Sequence, residues 1–289
     1  METSDIVISV IFLSQTIFGI LGNSFLVYHF LMLYFVGSRL KFTDWILQHL
    51  IAANFLTLLC KGVPHTVSAF GMKDFFSDSE YKLIFYLHRI GRGVSISSTC
   101  FLSVFQAITI SPKASRWTQL KVKSPSYIAS CVYMSWVLSF IVNIPFAMYM
   151  TARWYNKNIT CLRVYEFCAS DQHDISPAIF SAVFISIPDV LLMLLMFWSS
   201  SYMVCILYRH KQRMKHIHRS NFSFRFSPEI RATKTILLLL STFVFFYTIS
   251  CLLQINLALT LNPNSLWVNM ASVVSACFPT VSPFLMISH

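Results

Sequence analysis

Seven apolar stretches run the length of the chain, at roughly 6–36, 44–64, 83–110, 125–150, 177–208, 229–259 and 264–288. Each is long enough to cross the roughly 30 Å hydrocarbon core of a bilayer, which takes about 20 residues of helix. In lipid every backbone N–H and C=O must find a partner inside its own segment or barrel, so apolar spans of this length have to be helices. Composition points the same way. The chain is 56% hydrophobic and only 11% charged, whereas a soluble domain is about 45–50% apolar and about 25% charged. The surplus apolar surface needs lipid to cover it. The expected fold is an all-α membrane protein, a seven-transmembrane helix bundle that makes one domain over residues 1–289.

Loop charges orient the bundle. The first gap holds Arg39 and Lys41; the third holds Lys113, Arg116, Lys121 and Lys123. The fifth holds Arg209, Lys211, Arg213, Lys215, Arg219 and Arg225, with Arg231 and Lys234 close behind. The alternate gaps carry fewer basic residues, Lys73, Lys82, Arg153, Lys157 and Arg163, offset by Asp74, Asp78, Glu80, Glu166, Asp171 and Asp174. Basic loops stay in the cytoplasm, so the N-terminus is expected outside. The sequon Asn158-Ile159-Thr160 then falls on the outer side, where a glycan is expected on Asn158, and Asn221-Phe222-Ser223 falls on the inner side. Met1 to Asp5 carries acids and no basic residue, so the first span is expected to act as its own insertion signal. The formal net charge of +11 would suggest nucleic acid in a soluble protein. Here it lies in short loops, so anionic lipid headgroups are the expected partner and nucleic acid is not.

Local signals mark several helix starts. Ser124-Pro125, Ser176-Pro177, Ser227-Pro228 and Asn262-Pro263 each set a capping side chain before a proline suited to a first helical position. Thr43 can cap the second span. Of eight cysteines, only Cys161 and Cys168 fall in a loop, and that loop is on the oxidising side; the rest lie in spans as small apolar fillers.

Charges inside a span are costly and call for a reason. The third span carries His88, Arg89 and Arg92 near its outer end. His88 and Arg92 are four apart and share a face, which Ser95 and Thr99 extend inward. One reading is a cationic floor for an anionic ligand group, since the planar guanidinium fork donates two parallel hydrogen bonds to a sulfate or carboxylate. The other is that these side chains snorkel to headgroups or pair with a loop acid. Asp189 in the fifth span is a counter-ion to this floor or a structural carboxyl bonded across helices. Lys61, near the outer end of the second span, is expected to snorkel. Asn23, Asn54 and Trp136 read as interhelical bonding and packing groups. On the inner side, Arg209 to Arg219 continues the fifth span as a basic helix suited to a docking partner or to anionic lipid heads.

The third span and its flanks also carry a resemblance. Phe85-Tyr86-Leu87-His88-Arg89, the run from Gly93 to Pro112, Leu120-Lys121-Val122-Lys123, Ala232-Thr233-Lys234-Thr235-Ile236-Leu237 and Phe278-Pro279-Thr280-Val281-Ser282-Pro283-Phe284 closely resemble vomeronasal type-1 receptors over essentially the whole chain. The resemblance implies a pheromone-sensing G-protein-coupled receptor. Its ligand would be a small molecule, with steroid-like and sulfated compounds in the family range, and its transducer a heterotrimeric G protein of Gi type. Val104-Phe105-Gln106 stands where the wider receptor class has an acid-Arg-aromatic triplet. With Lys121, Lys123, Arg209, Lys211, Arg213 and Lys215 it makes the expected G-protein contact. Asn54 stands in place of an Asp, the sixth span lacks an internal proline, and the seventh ends in Pro279-Thr280-Val281-Ser282-Pro283. Family members typically pair a cysteine at the outer end of the third span with the second outer loop. Tyr81 stands at that place here, so Cys168 resembles a loop partner without its mate; a local Cys161–Cys168 bridge and a free Cys168 thiol both remain open.

A small channel or transporter is the rival reading. Against it, the spans show no duplicated halves and no ring of charges. No H-E-x-x-H, G-x-S-x-G or intramembrane Asp pair suggests an enzyme, and neither a metal nor a cofactor is expected.

Overall fold

The computed structural model describes residues 3–37, 41–69, 76–111, 118–152, 163–165, 168–170, 175–217, 228–259 and 265–287. Seven helices cover the spans: α1 Thr3–Phe35, α2 Phe42–Ala69, α3 Asp78–Ile110, α4 Thr118–Tyr149, α5 Ile175–Ile217, α6 Pro228–Leu259 and α7 Ser265–Ile287. All seven are long and apolar enough to cross a membrane. Between α4 and α5 lie three short strands, β1 Met150–Ala152, β2 Arg163–Tyr165 and β3 Cys168–Ser170, in the antiparallel order β1-β3-β2. Hydropathy gave no sign of this sheet. Three-residue strands are too short for a period-two pattern to stand out.

Helix ends depart from the expected starts in instructive ways. α3 begins earlier than its apolar run, because Ser77 and Glu80 form a capping box. Glu80 N donates to Ser77 Oγ at 3.4 Å and Ser77 N donates to Glu80 Oε2 at 2.7 Å. Phe76, just before the cap, meets Tyr81 edge-on at 5.5 Å between ring centroids. A capping box plus this apolar staple fixes the angle at which the chain enters the helix. Tyr81 is thereby buried and closes the staple over the start of α3. α2 is capped by Asp44, whose Oδ2 accepts from Lys41 N at 2.9 Å, with the first helical residue at Phe42 rather than after Thr43. α4 starts about two turns before Ser124-Pro125, so Pro125 lies inside the helix; the residues ahead of it are mostly good helix formers that carry the helix past the apolar span. α6 does begin at Pro228. α5 runs on through Arg209 to Ile217, so the basic stretch is a helical extension of the span.

α3 is the central helix, in contact with α2, α4, α5 and α6. Its buried face alternates bulk with small polar groups: Ile90, Val94, Ile96, Cys100 and Leu102 beside Ser95, Ser97, Ser98, Thr99 and Ser103. Small residues let helices approach closely where no hydrophobic effect drives them together. On α3, Gly91 is the tightest case. A Cβ there would stand 2.6 Å from Thr57 Oγ1 and 3.0 Å from the Ala53 carbonyl oxygen of α2, so the α2–α3 approach requires a residue without one. The main core joins Ile46 and Leu50 of α2, Ile96 and Leu102 of α3, Met196 and Met203 of α5, Leu239, Leu240 and Phe243 of α6, and Phe278 of α7. Large apolar side chains also cover the outside of the bundle, such as Leu194, Phe197 and Trp198 of α5 and Phe18, Leu21 and Tyr28 of α1. An apolar exterior of this extent belongs in lipid.

Polar groups tie the helices together as expected of Asn23, Asn54 and Trp136. Asn23 Nδ2 donates to the Pro279 carbonyl of α7 at 3.0 Å, and Asn54 Nδ2 donates to Ser282 Oγ at 2.9 Å. Asn54 Oδ1 accepts from Ser95 Oγ at 2.7 Å, so one amide joins α2, α3 and α7. Trp136 Nε1 donates to His49 Nδ1 at 3.3 Å, between α4 and α2.

Candidate ligand pocket

In the outer half of the bundle a cavity opens among α2, α3, α6 and α7. It is lined by Thr57, by His88, Arg92, Ser95 and Ile96, by Phe243, Phe246, Tyr247 and Ser250, and by Val274, Ser275, Phe278 and Pro279. Its volume is about 40 Å³, room for a few water molecules.

The polar side of this cavity is organised around Arg92. Its guanidinium carbon lies 4.9 Å from the centroid of the Tyr247 ring, a cation–π contact of the kind that gains strength when desolvated. Arg92 Nη2 also donates to Cys251 Sγ at 3.6 Å. Tyr247 in turn donates its hydroxyl to Asp189 Oδ2 on α5 at 2.6 Å. Arg92, Tyr247 and Asp189 therefore form a chain from α3 through α6 to α5, in which the carboxylate offsets part of the guanidinium charge at one remove. Phe243 stacks on Tyr247 one turn inward, 5.5 Å between centroids and 12° between planes, and meets Phe278 of α7 edge-on at 4.6 Å. These rings give the cavity an apolar floor.

The sequence candidates separate cleanly. His88, Arg92 and Ser95 line the cavity together, as one helix face should. Arg89 turns aside from this face and donates through Nε to Asn143 Oδ1 of α4 at 2.8 Å. A residue one position from His88 points about 100° away around a helix, and α4 supplies the acceptor there. Asp189 stands behind Tyr247 rather than on the cavity wall. Lys61 departs from expectation. It is buried, 3% exposed, and its Nζ donates to Ser275 Oγ of α7. It does not snorkel, because α7 presents a hydroxyl within reach inside the bundle. Tyr247, Ser250 and Ser275 were not singled out in the sequence. Tyr247 sits in the aromatic run Phe243 to Tyr247, where nothing distinguishes it from packing residues, and serines carry no charge to flag them.

On the inner side, Gln106 is buried and donates through Nε2 to Thr233 Oγ1 of α6 at 2.8 Å. Val104 and Phe105 are half-buried, Phe105 edge-on to Phe42. Lys123 and Arg209 are exposed. The side chains of Lys121, Lys211, Arg213 and Lys215 lie outside the described residues, as do Asn158 and the Cys161 and Cys168 thiols.

A family model described as the vomeronasal organ pheromone receptor family matches residues 6–289. The chain belongs to the vomeronasal type-1 receptor family. Human vomeronasal type-1 receptor 4 is 52% identical over 276 residues, covering 96% of this chain and 92% of that protein. Human vomeronasal type-1 receptor 3 is 43% identical over 292 residues, covering 100% and 93%. Rat vomeronasal type-1 receptor 90 is 32% identical over 277 residues, covering 96% and 89%. The chain is thus a pheromone receptor of the G-protein-coupled kind, a multi-pass protein of the plasma membrane. In a vomeronasal receptor a cavity at this depth, with a cation on one wall and aromatic rings below it, is the natural candidate for ligand capture.

Proposed function

We propose that this receptor captures a small ligand with an anionic or strongly accepting group in the outer cavity, through Arg92 and His88, and activates a Gi-type G protein. The observation that carries this reading is Arg92 on the cavity wall, held in place by the Tyr247 ring. A cation fixed by stacking keeps its hydrogen-bonding fork preorganised, so an incoming oxyanion orders fewer side chains as it binds. His88 adds a second donor on the same face, Ser95 lies one turn inward of Arg92, and Asp189 tunes the site from behind Tyr247.

The size of the cavity connects capture to signalling. A ligand that spreads the helices around it as it fills the cavity favours a rearranged bundle. Agonist action requires tighter binding to that arrangement than to the resting one. On the inner side, Val104, Phe105 and Gln106 with Lys121, Lys123 and the basic extension Arg209, Lys211, Arg213 and Lys215 form the G-protein contact.

The test is a dose–response series with agonists found by screening, at matched surface expression. A hydrogen bond to a charged group contributes about 1.5–3 kcal/mol, roughly 10- to 150-fold in affinity. Arg92→Ala should weaken anionic agonists by that factor, and Arg92→Lys should recover only part of it. Neutralising the inner basic residues should lower nucleotide exchange on Gi and leave agonist affinity nearly unchanged. Unaltered potency in Arg92→Ala would leave the arginine a structural group.

A further inference from the structure

The cavity carries polar groups besides His88, Arg92 and Ser95. Lys61 lies one turn outward of Thr57 on the same face of α2, and Thr57 lines the cavity. The Lys61 amine donates to Ser275 Oγ, and Ser275 also lines the cavity. Ser275 Oγ passes its own proton on, donating to the Ser272 carbonyl at 2.9 Å. On α6, Ser250 is 3% exposed and lines the same cavity, and its hydroxyl has no hydrogen-bond partner among the described residues. A buried hydroxyl without a partner is costly, and burying a lysine amine in a membrane span is costlier still. The Ser250 hydroxyl and the Ser275 hydroxyl that holds the amine both line the cavity.

We propose that Lys61, Ser275 and Ser250 form a second polar subsite that takes an acceptor oxygen, such as a ketone, of a ligand whose anionic end lies at Arg92. The subsite rests on the anionic reading of Arg92 given above. A lysine amine donates N–H in either protonation state, and the Ser250 hydroxyl donates to the same kind of atom, so the subsite selects an acceptor. The bound ligand is then polar at both ends, with its apolar body over Phe243 and Phe278. Such a site discriminates, because a ligand lacking the second acceptor leaves the buried Ser250 hydroxyl without a partner.

The experiment melts purified full-length receptor in detergent with a graded series of ω-keto carboxylates and with the plain carboxylates of the same chain lengths. At one chain length the keto acid should bind wild type about tenfold more tightly than its plain partner. Lys61→Met, similar in size and apolar, should abolish that advantage while the plain carboxylate keeps its wild-type affinity. Ser250→Ala should remove part of the advantage, and it decides the matter if Lys61→Met does not fold. A ketone that adds nothing at any chain length overturns the subsite, as does an advantage that survives both substitutions. Plain carboxylates that leave the wild type unshifted, or that bind Arg92→Ala as tightly as wild type, overturn the Arg92 reading instead, and the subsite with it.

Discussion

The outer and inner halves of the bundle are held together by different chemistry. In the outer half, Lys61, His88, Arg92 and Asp189 bring ionisable groups among the helices, partnered by an aromatic ring, hydroxyls and a thiol. In the inner half, the cross-helix bonds named are neutral: Gln106 to Thr233, Ser111 with Tyr202 at 3.0 Å, and Ser103 with Ser199. Charge within the bilayer is expensive, and the proposed capture of an anionic group at Arg92 would give it a use. A neutral hydrogen bond contributes only about 0.5–1.5 kcal/mol net, which suits contacts that must break and re-form when a bundle rearranges. Gln106 closes the Val104-Phe105-Gln106 run at the inner end of α3, and its bond to Thr233 fits this pattern.

The largest expected effect tests the scaffold under the outer half. Gly91→Val forces a branched side chain against Ala53 and Thr57, and overpacking of this kind costs about 1–3 kcal/mol. The melting temperature of the purified receptor should fall clearly, and Gly93→Ala, whose Cβ would meet only the Ser139 side chain, should lower it less. Equal losses would mean that the α2–α3 approach is not tight at Gly91.

The next effect separates the inner half from the outer. Gln106→Leu or Thr233→Val removes one neutral bond between α3 and α6. If that bond favours the resting arrangement, ligand-free nucleotide exchange should rise by up to about fivefold, the worth of roughly 1 kcal/mol. The double variant should add little, since both changes delete one interaction. Exchange that falls equally with and without agonist would instead make Gln106 a G-protein contact and nothing more.

A smaller effect sharpens the outer half. Asp189→Asn removes the carboxylate that partly offsets Arg92, leaving Tyr247 an acceptor to bond. Anionic agonists should gain potency by about a few-fold, the scale of a charge pair separated by an intervening ring. Lost potency would mean that Asp189 holds the site in shape rather than competing with the ligand.

Much of this molecule was legible in its sequence, and the limits follow from what each signal measures. Hydropathy places a span along the membrane normal, so the seven helices could be read in advance. The i, i+4 spacing places two residues on one face, so His88, Arg92 and Ser95 could be grouped, while Arg89, off that face, serves α4. Neither signal gives the rotation of one helix against another. That is why Lys61 reads as a snorkelling residue until α7 is seen to set Ser275 opposite it, and why Tyr247 is hidden among aromatic neighbours. The capping box at Ser77 was present in the sequence as Ser-x-x-Glu, but it lies outside the apolar run that defined the span.

The central claim is that Arg92 recognises negative charge, and a thermodynamic cycle tests it most directly. Binding of an anionic agonist and of its neutral isostere would be measured on wild type and on Arg92→Ala. The account predicts that the substitution weakens the anion about 10- to 150-fold and the isostere far less, so that the loss belongs to the pairing of charge with guanidinium. Equal losses for both ligands would contradict it, and would make Arg92 a packing partner of Tyr247 in a cavity that selects its ligands by apolar shape.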